Sequence, residues 1–391
     1  MSNKAKKIIA CIFFSLFRYK NKEQFNELSL IVYTMKTMKF YLLLLVACLG
    51  FSQGIYAQIE KKPRNSTDLI VFQRVDSAAI EIKKHTYENG KLHYQINTQY
   101  GMFNGKYIAW YKNGQKKAEG NFKNNQRVGI WTAWDSAGQT RMIRNYENSF
   151  GFKTVAAKNE KGENISLPEK TSYDLTKNKD GYYKYPKLIE KNIIVSKRIW
   201  RTIEPNINNK IIFENNTLFK LILKNIADTQ KLKAYDTQSD EFEKELTLAD
   251  IKSKLTNTTD VVAYKIKEDW FFDSSLQLSE SRIIGLCPVI KNKDGNPTDL
   301  CWIYYPTLRG ILATEKIKIN DEPLITTMED VFQFRYFNSS IYKESNNYNR
   351  KISDYKTGKA IKEEAEAIEM AILDLENNTW ISLTEINKKP Y

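Results

Sequence analysis

The stretch "VVAYKIKEDWFFD" (Val261–Asp273) places Val262, Tyr264, Ile266, Trp270 and Phe272 on even positions and Lys265, Lys267, Asp269 and Asp273 on odd ones. Alternation with a period of two predicts a half-buried strand, apolar on one face and polar on the other. Glu268 interrupts it, an acid on the apolar side two residues from Trp270. A carboxylate in that setting can be a general acid tuned by desolvation, or a buried charge paired with a cation. Hydrolysis of the two-carboxylate kind needs a second acid beside the same bond. Asp269 and Asp273 point to the opposite face, because neighbours on a strand alternate. The pattern therefore favours Trp270 and Phe272 as core anchors and Glu268 as the partner of a basic side chain. Arg282, which opens the next strand, and Arg335, in "FQFRYF", are the candidate partners.

Outward from this strand, "RIIGLCPVI" and "DLCWIYYP" read as two further strands joined by "KNKDGNPT", whose Asp-Gly-Asn-Pro favours a turn. In a symmetric hairpin Cys287 and Cys301 would face each other. Adjacent antiparallel strands hold a disulfide poorly, and a slip of one residue separates the pair, so a bridge and two buried thiols are the alternatives. "NTLFKLILKNIADTQKLKAYD" predicts a helix of about three turns behind an Asn/Thr cap. In "PKLIEKNIIVSKRIWRTIE", Leu188, Ile189, Ile193, Val195, Ile199 and Trp200 fall near helical spacing, with Lys197, Arg198 and Arg201 opposite. "KAIKEEAEAIEMAILDLENNTW" is an amphipathic helix with Ile361, Ala365, Ile368, Ile372 and Leu375 in one stripe.

Upstream, "YENG", "YKNG" and "DSAG" end at Gly90, Gly114 and Gly138, with 24 residues between successive glycines. Gly105/Gly129 and Trp110/Trp134 keep the same period, which signals stacked units. Asn-Gly favours hairpin turns with positive φ at both central residues. A small antiparallel β-meander over residues 85–150 is expected, with the recurring tryptophans as its stacked core. The units resemble MORN-type repeats of bacterial exported proteins, which implies contact rather than chemistry. His85 and His93 read as separate surface or half-buried residues, too far apart in sequence for a metal pair. Residues 151–186, rich in Lys, Asn and Glu, read as a solvated linker.

At the start of the chain, residues 35–57 have a basic entry (Lys36, Lys39), an apolar run from Phe40 to Phe51, and a small residue, Ala57, at the expected cleavage point. This is a secretory signal pattern. "LVAC" also resembles a lipobox in which Cys48 would carry lipid. Residues 1–34 read as a gene-model extension and 58–84 as an N-terminal segment.

Composition removes whole classes of chemistry. The 391 residues carry a net charge of +14 but only two histidines and four cysteines. No CxxC, HExxH or His/Cys cluster exists, so zinc and non-haem iron lack a ligand set, and no cofactor is expected. GxGxxG, Walker A and GxSxG patterns are missing, and Ser-His-Asp or Cys-His catalysis lacks a base beyond residue 93. The basic surplus lies partly in the first 57 residues and forms no cluster with stacking aromatics, so nucleic acid is not a partner.

"SKRIWRTIE", "LKAYD", "YKIKEDWFFD", "SRIIGLCPVI", "LCWIYYP" and "TMEDVFQFRYFNSSIYKESNNYNRKISDY" follow one another in that order. Together they resemble the GldN/PorN family of gliding-motility and type IX secretion proteins of Bacteroidota, over about residues 187–380 of a 187–391 domain. The loop "PNINNKIIFENN" and the attached meander depart from that family's pattern. The resemblance implies a non-enzymatic periplasmic subunit, peripheral to the inner leaflet of the outer membrane. It pairs with a GldK/PorK-like lipoprotein, contacts a GldM/PorM-like motor protein and self-associates in a ring. Arg198, Trp200, Arg201, Glu268, Trp270, Phe272, Arg282 and Arg335 are the structural or interface candidates. The competing readings are a binding protein whose meander captures a lipid or polymer, and a carboxylate-dependent glycan enzyme. The expected fold is α+β: a small antiparallel meander, then a mixed α+β domain with antiparallel hairpins and a final amphipathic helix.

Overall fold

Four turns, each closed by a glycine of positive φ, set the spacing of the first sheet: Gly90 (77°), Gly114 (93°), Gly138 (84°) and Gly162 (78°). The glycine N–H groups donate to the carbonyls of Tyr87, Tyr111, Asp135 and Asn159. Neighbouring turns are also stitched together at a constant offset. The Tyr87 hydroxyl donates to the Trp110 carbonyl (2.7 Å), and the Tyr111 hydroxyl donates to that of Trp134 (2.8 Å). Asn89 and Asn113 donate in the same way to Lys112 and Ser136.

The computed structural model describes residues 71–74 and 80–386, apart from 149, 168–169, 173–175, 228–230, 256–260 and 320–321. The expected export signal, with Cys48 and Ala57, lies outside the described residues. All described residues belong to one unit, Thr67–Tyr391. The first sheet holds β1 (Val71–Arg74), β2 (Ile80–Thr86), β3 (Leu92–Gln99), β4 (Met102–Trp110), β5 (Lys116–Lys123), β6 (Gln126–Trp134), β7 (Thr140–Asn148), β8 (Gly151–Ala157) and β9 (Lys170–Ser172). They are ordered as in the sequence, so the sheet is the expected meander.

Two expectations change here. Part of the segment read as a solvated linker continues the sheet as β8 and β9. One apolar anchor accounts for it: Phe152 pairs with Tyr146 and is buried beside it. The recurring Trp110 and Trp134 are half-buried near the turns, and the core indole is Trp131, which takes the position of the buried Tyr107 one period earlier. Gly120 on β5 makes room for it, since a Cβ there would lie 2.1 Å from the Trp131 ring.

The second sheet runs in the order β12 (Glu245–Leu246), β11 (Ala234–Tyr235), β16 (Trp302–Tyr304), β14 (Leu278–Lys291), β13 (Val261–Asp273), β10 (Ile193–Ile203), β17 (Ser340–Glu344), with β15 (Pro297–Asp299) also paired to β14. Every pairing is antiparallel. Helices α1 (Lys210–Phe213), α2 (Thr217–Ala227), α3 (Leu248–Lys254), α4 (Tyr305–Leu312), α5 (Met328–Gln333) and α6 (Lys359–Ile386) complete the described elements. Strand β10 occupies the stretch whose spacing suggested a helix. Ile199 and Trp200 are adjacent and both buried because β10 is covered on both faces, and such doublets imitate a helical stripe. For the same reason β13 is no half-buried strand: Lys267 is 1% and Asp273 3% exposed.

Helix α6 is shared by both sheets. Its first half packs Ala365, Ile368 and Ile372 against Ile199, Trp270 and Ile341 of the second sheet. Its second half puts Met370, Trp380 and Leu383 into the meander core with Trp131 and Tyr146.

Candidate functional site

The antiparallel register of β10 and β13 pairs Ile199 with Glu268 and Arg201 with Ile266, which places Arg201 and Glu268 diagonally on the face that α6 covers. Arg201 Nε donates to Glu268 Oε1 (2.6 Å). Arg335 grips the same carboxylate with two nitrogens, at 2.6 Å to Oε2 and 3.2 Å to Oε1. The rest of the Arg201 fork goes to Glu369 of α6 (Nη2–Oε1 3.0 Å). Arg335 follows α5 with φ of +52°, a left-handed backbone that turns its side chain under the sheet. Burial alone would push the Glu268 carboxyl up, but Arg335 and Arg201 outweigh it and hold it below the ordinary glutamate value. Both oxygens are fully engaged. Of the two candidate partners, Arg335 binds Glu268, while Arg282 binds Glu280 and the Pro186 carbonyl instead.

The opposite face of the sheet carries a second set of charges. Arg198 holds Asp269 with two hydrogen bonds (2.7 and 3.0 Å). Lys267, directly across from Trp200, donates to the Asp240 carbonyl (2.7 Å), Asp240 Oδ1 (3.1 Å) and Glu241 Oε1 (2.7 Å). Trp200 Nε1 donates to the remaining Asp240 oxygen. Burial pushes Asp240 up, and Lys267 with Trp200 more than reverses this, leaving it depressed. Around these pairs lies an open groove of ≈ 1210 Å³, edged by Leu188, Tyr304, Asp240, Lys343 and Lys351.

Trp270 is 5% exposed against Ile199, Ile341 and α6, and Phe272 is buried in the meander-side core. Cys287 and Cys301 are free, buried thiols in different clusters. The register Gly285–Tyr304 and Leu286–Ile303 brings Pro288, not Cys287, opposite Cys301. That one-residue offset sends the two sulfurs to opposite faces.

Reading the sequence missed three things. Lys267 looked like a wet-face residue, yet it is buried. Glu369 lies on the polar side of the α6 stripe, and nothing local marks it as a partner of Arg201. His85 and His93 are neighbours across β2 and β3 (Nδ1–Nδ1 3.1 Å), and His93 Nε2 meets Asp374 of α6 at 2.7 Å. The turn at Gly90 was the signal for that pairing, because it folds residues 85 and 93 side by side. Lys117 reaches the other Asp374 oxygen (3.1 Å). Among the described residues, no group of three His, Cys, Asp or Glu side chains is placed to hold a metal.

Two antiparallel sheets that share one long helix define an α+β protein. Residues 188–381 match the family described as "Gliding motility associated protein GldN", and through this region the chain belongs to that family. The match begins beyond the meander and ends inside α6. No curated protein matches the chain. Among the described residues, no helix is long and apolar enough to cross a membrane.

Proposed function

We propose that this chain is a non-enzymatic subunit of the gliding-motility and type IX secretion machinery. It works in the periplasm beneath the outer membrane, through contacts with a GldK/PorK-like lipoprotein, a GldM/PorM-like motor protein and further copies of itself in a ring. The observation that carries this reading is the GldN family match over residues 188–381. The chemistry of Glu268 supports it. A general acid must hold a proton near neutral pH, whereas this carboxyl is depressed and held by two guanidiniums.

The test is a crosslinked pull-down from the native envelope with the chain as bait. Both partners should be recovered, in an assembly far heavier than one copy. Recovery of the chain alone, at the mass of a monomer, would overturn the proposal. So would turnover of a glycan substrate that disappears in Glu268→Gln while the melting curve is unchanged.

A further inference from the structure

Lys343 is 9% exposed, and its ammonium makes no hydrogen bond or ion pair among the described residues. Its ammonium rests 4.1 Å above the Trp200 ring, at the wall of the outer groove. The acids near it are Asp240 and Glu241, and both are engaged by Lys267, with Asp240 also taking the Trp200 N–H. Lys351, exposed on the same rim, has no ion pair among the described residues either. This end of the groove therefore holds three lysines against two carboxylates. The Lys343 ammonium lies in the field of Asp240 and Glu241, which Lys267 already holds, and the surplus positive charge at this end of the groove is complementary to a negative group.

The dimensions narrow the choice of ligand. At ≈ 1210 Å³ the groove exceeds what a small anion needs, and its rim exposes apolar surface at Leu188 (39%) and Tyr304 (40%). Lys343 sits on β17, which ends the strand order of the second sheet. The register sets Lys343, Trp200, Lys267, Gly285 and Tyr304 in one row across the strands, so an extended chain crossing this face of the sheet would meet the ammonium at one end and Tyr304 at the other.

We propose that the groove seats an extended acidic segment of a protein partner that crosses the strands, with one Asp or Glu carboxylate on the Lys343 ammonium and apolar residues farther along it on Leu188 and Tyr304. The proposal rests on the assembly reading above, to which it adds the chemistry of one contact.

The probe is a set of short, overlapping, fluorescein-labelled peptides covering the periplasmic sequences of the lipoprotein and motor-type partners, titrated onto the full chain by anisotropy. At least one acid-bearing peptide should bind. Its acid-to-amide version should bind about tenfold more weakly, as should Lys343→Met with the original peptide, and Lys343→Arg should restore affinity. The peptide change tests the contact without altering the fold, and the methionine keeps an apolar stem over Trp200. Binding that ignores both changes would overturn the proposal. So would Lys343-dependent binding to phosphatidylglycerol vesicles with no response to any peptide. If the partners co-purify with wild type and Lys343→Met alike, the groove contact fails and the assembly reading stands. If wild type recovers no partner, the assembly reading itself fails.

Discussion

The two sheets are built from the same antiparallel pairings but tolerate change differently. The meander has one buried face and is fixed by its turns, each of which closes through its own glycine, and the first two of which tie to the next through a tyrosine and an asparagine. The second sheet has two covered faces, with Ile199 and Trp270 under α6 and Trp200 and Cys287 under the other side. Apart from Arg198 and Asp269, which open onto the groove, charges on these strands have little solvent to face. The sheet therefore neutralises its charges internally, as Glu268 with two arginines and Lys267 with Asp240 and Glu241. Local turns make a sheet robust one unit at a time, whereas burial on both faces makes it depend on every partner.

The contrast breaks most readily at Trp270. Truncation to alanine should cost about 3–5 kcal/mol and lower the melting temperature sharply. An unchanged melt would show that the ring is not the anchor it is taken for. Glu268→Gln comes next, at about 3 kcal/mol, because Arg335 loses its carboxylate and Arg201 keeps only Glu369.

The same acid predicts the pH profile. Glu268, Asp240 and Asp374 all have folded values below their ordinary ones. A carboxyl depressed in the fold adds stability that is present above its unfolded value and is lost as the pH falls through its folded one. The melting temperature should therefore hold from neutral down to about pH 5 and decline below about pH 4, with a shallower decline in Glu268→Gln. A decline of equal slope in the variant would remove Glu268 from the account.

Gly120→Ala probes the meander by overfilling it. The added methyl would collide with the Trp131 ring, and a loss of about 1–3 kcal/mol is expected in a thermal melt. The smallest effect concerns the thiols. Burial pushes Cys301 up to about 12 and raises Cys287 well above the usual thiol value. Alkylation at pH 8 followed by peptide mass spectrometry should leave both unmodified until the chain is denatured, and rapid labelling of either would show that its strand opens.

What could be read from the sequence follows the same divide. The turn period gave the meander, and the stripe of Ile361, Ala365, Ile368, Ile372 and Leu375 gave α6, because each pattern is local. Strand β10 imitated a helix, since an isoleucine and a tryptophan buried on opposite faces leave no alternation to detect. The pairing of Glu268 with Arg335 was within reach, because an acid on an apolar face needs a cation. Glu369, Lys343 and the contact of His93 with Asp374 depend on which elements meet, which no short stretch of sequence records.

Helix α6 is among the last described elements in chain order, yet it supplies side chains to the cores of both sheets. The meander core and the patch around Ile199 and Trp270 cannot close until residues 359–386 arrive, whereas the main core of the second sheet contains no residue of this helix. The slowest contacts to form are thus the ones that finish both halves, a high-contact-order arrangement. A chain stopped before this helix would leave the meander core and the Ile199–Trp270 patch open. Docking of the helix should appear as one late event in which protection against proteolysis spreads over the meander and the α6-facing side of the second sheet together.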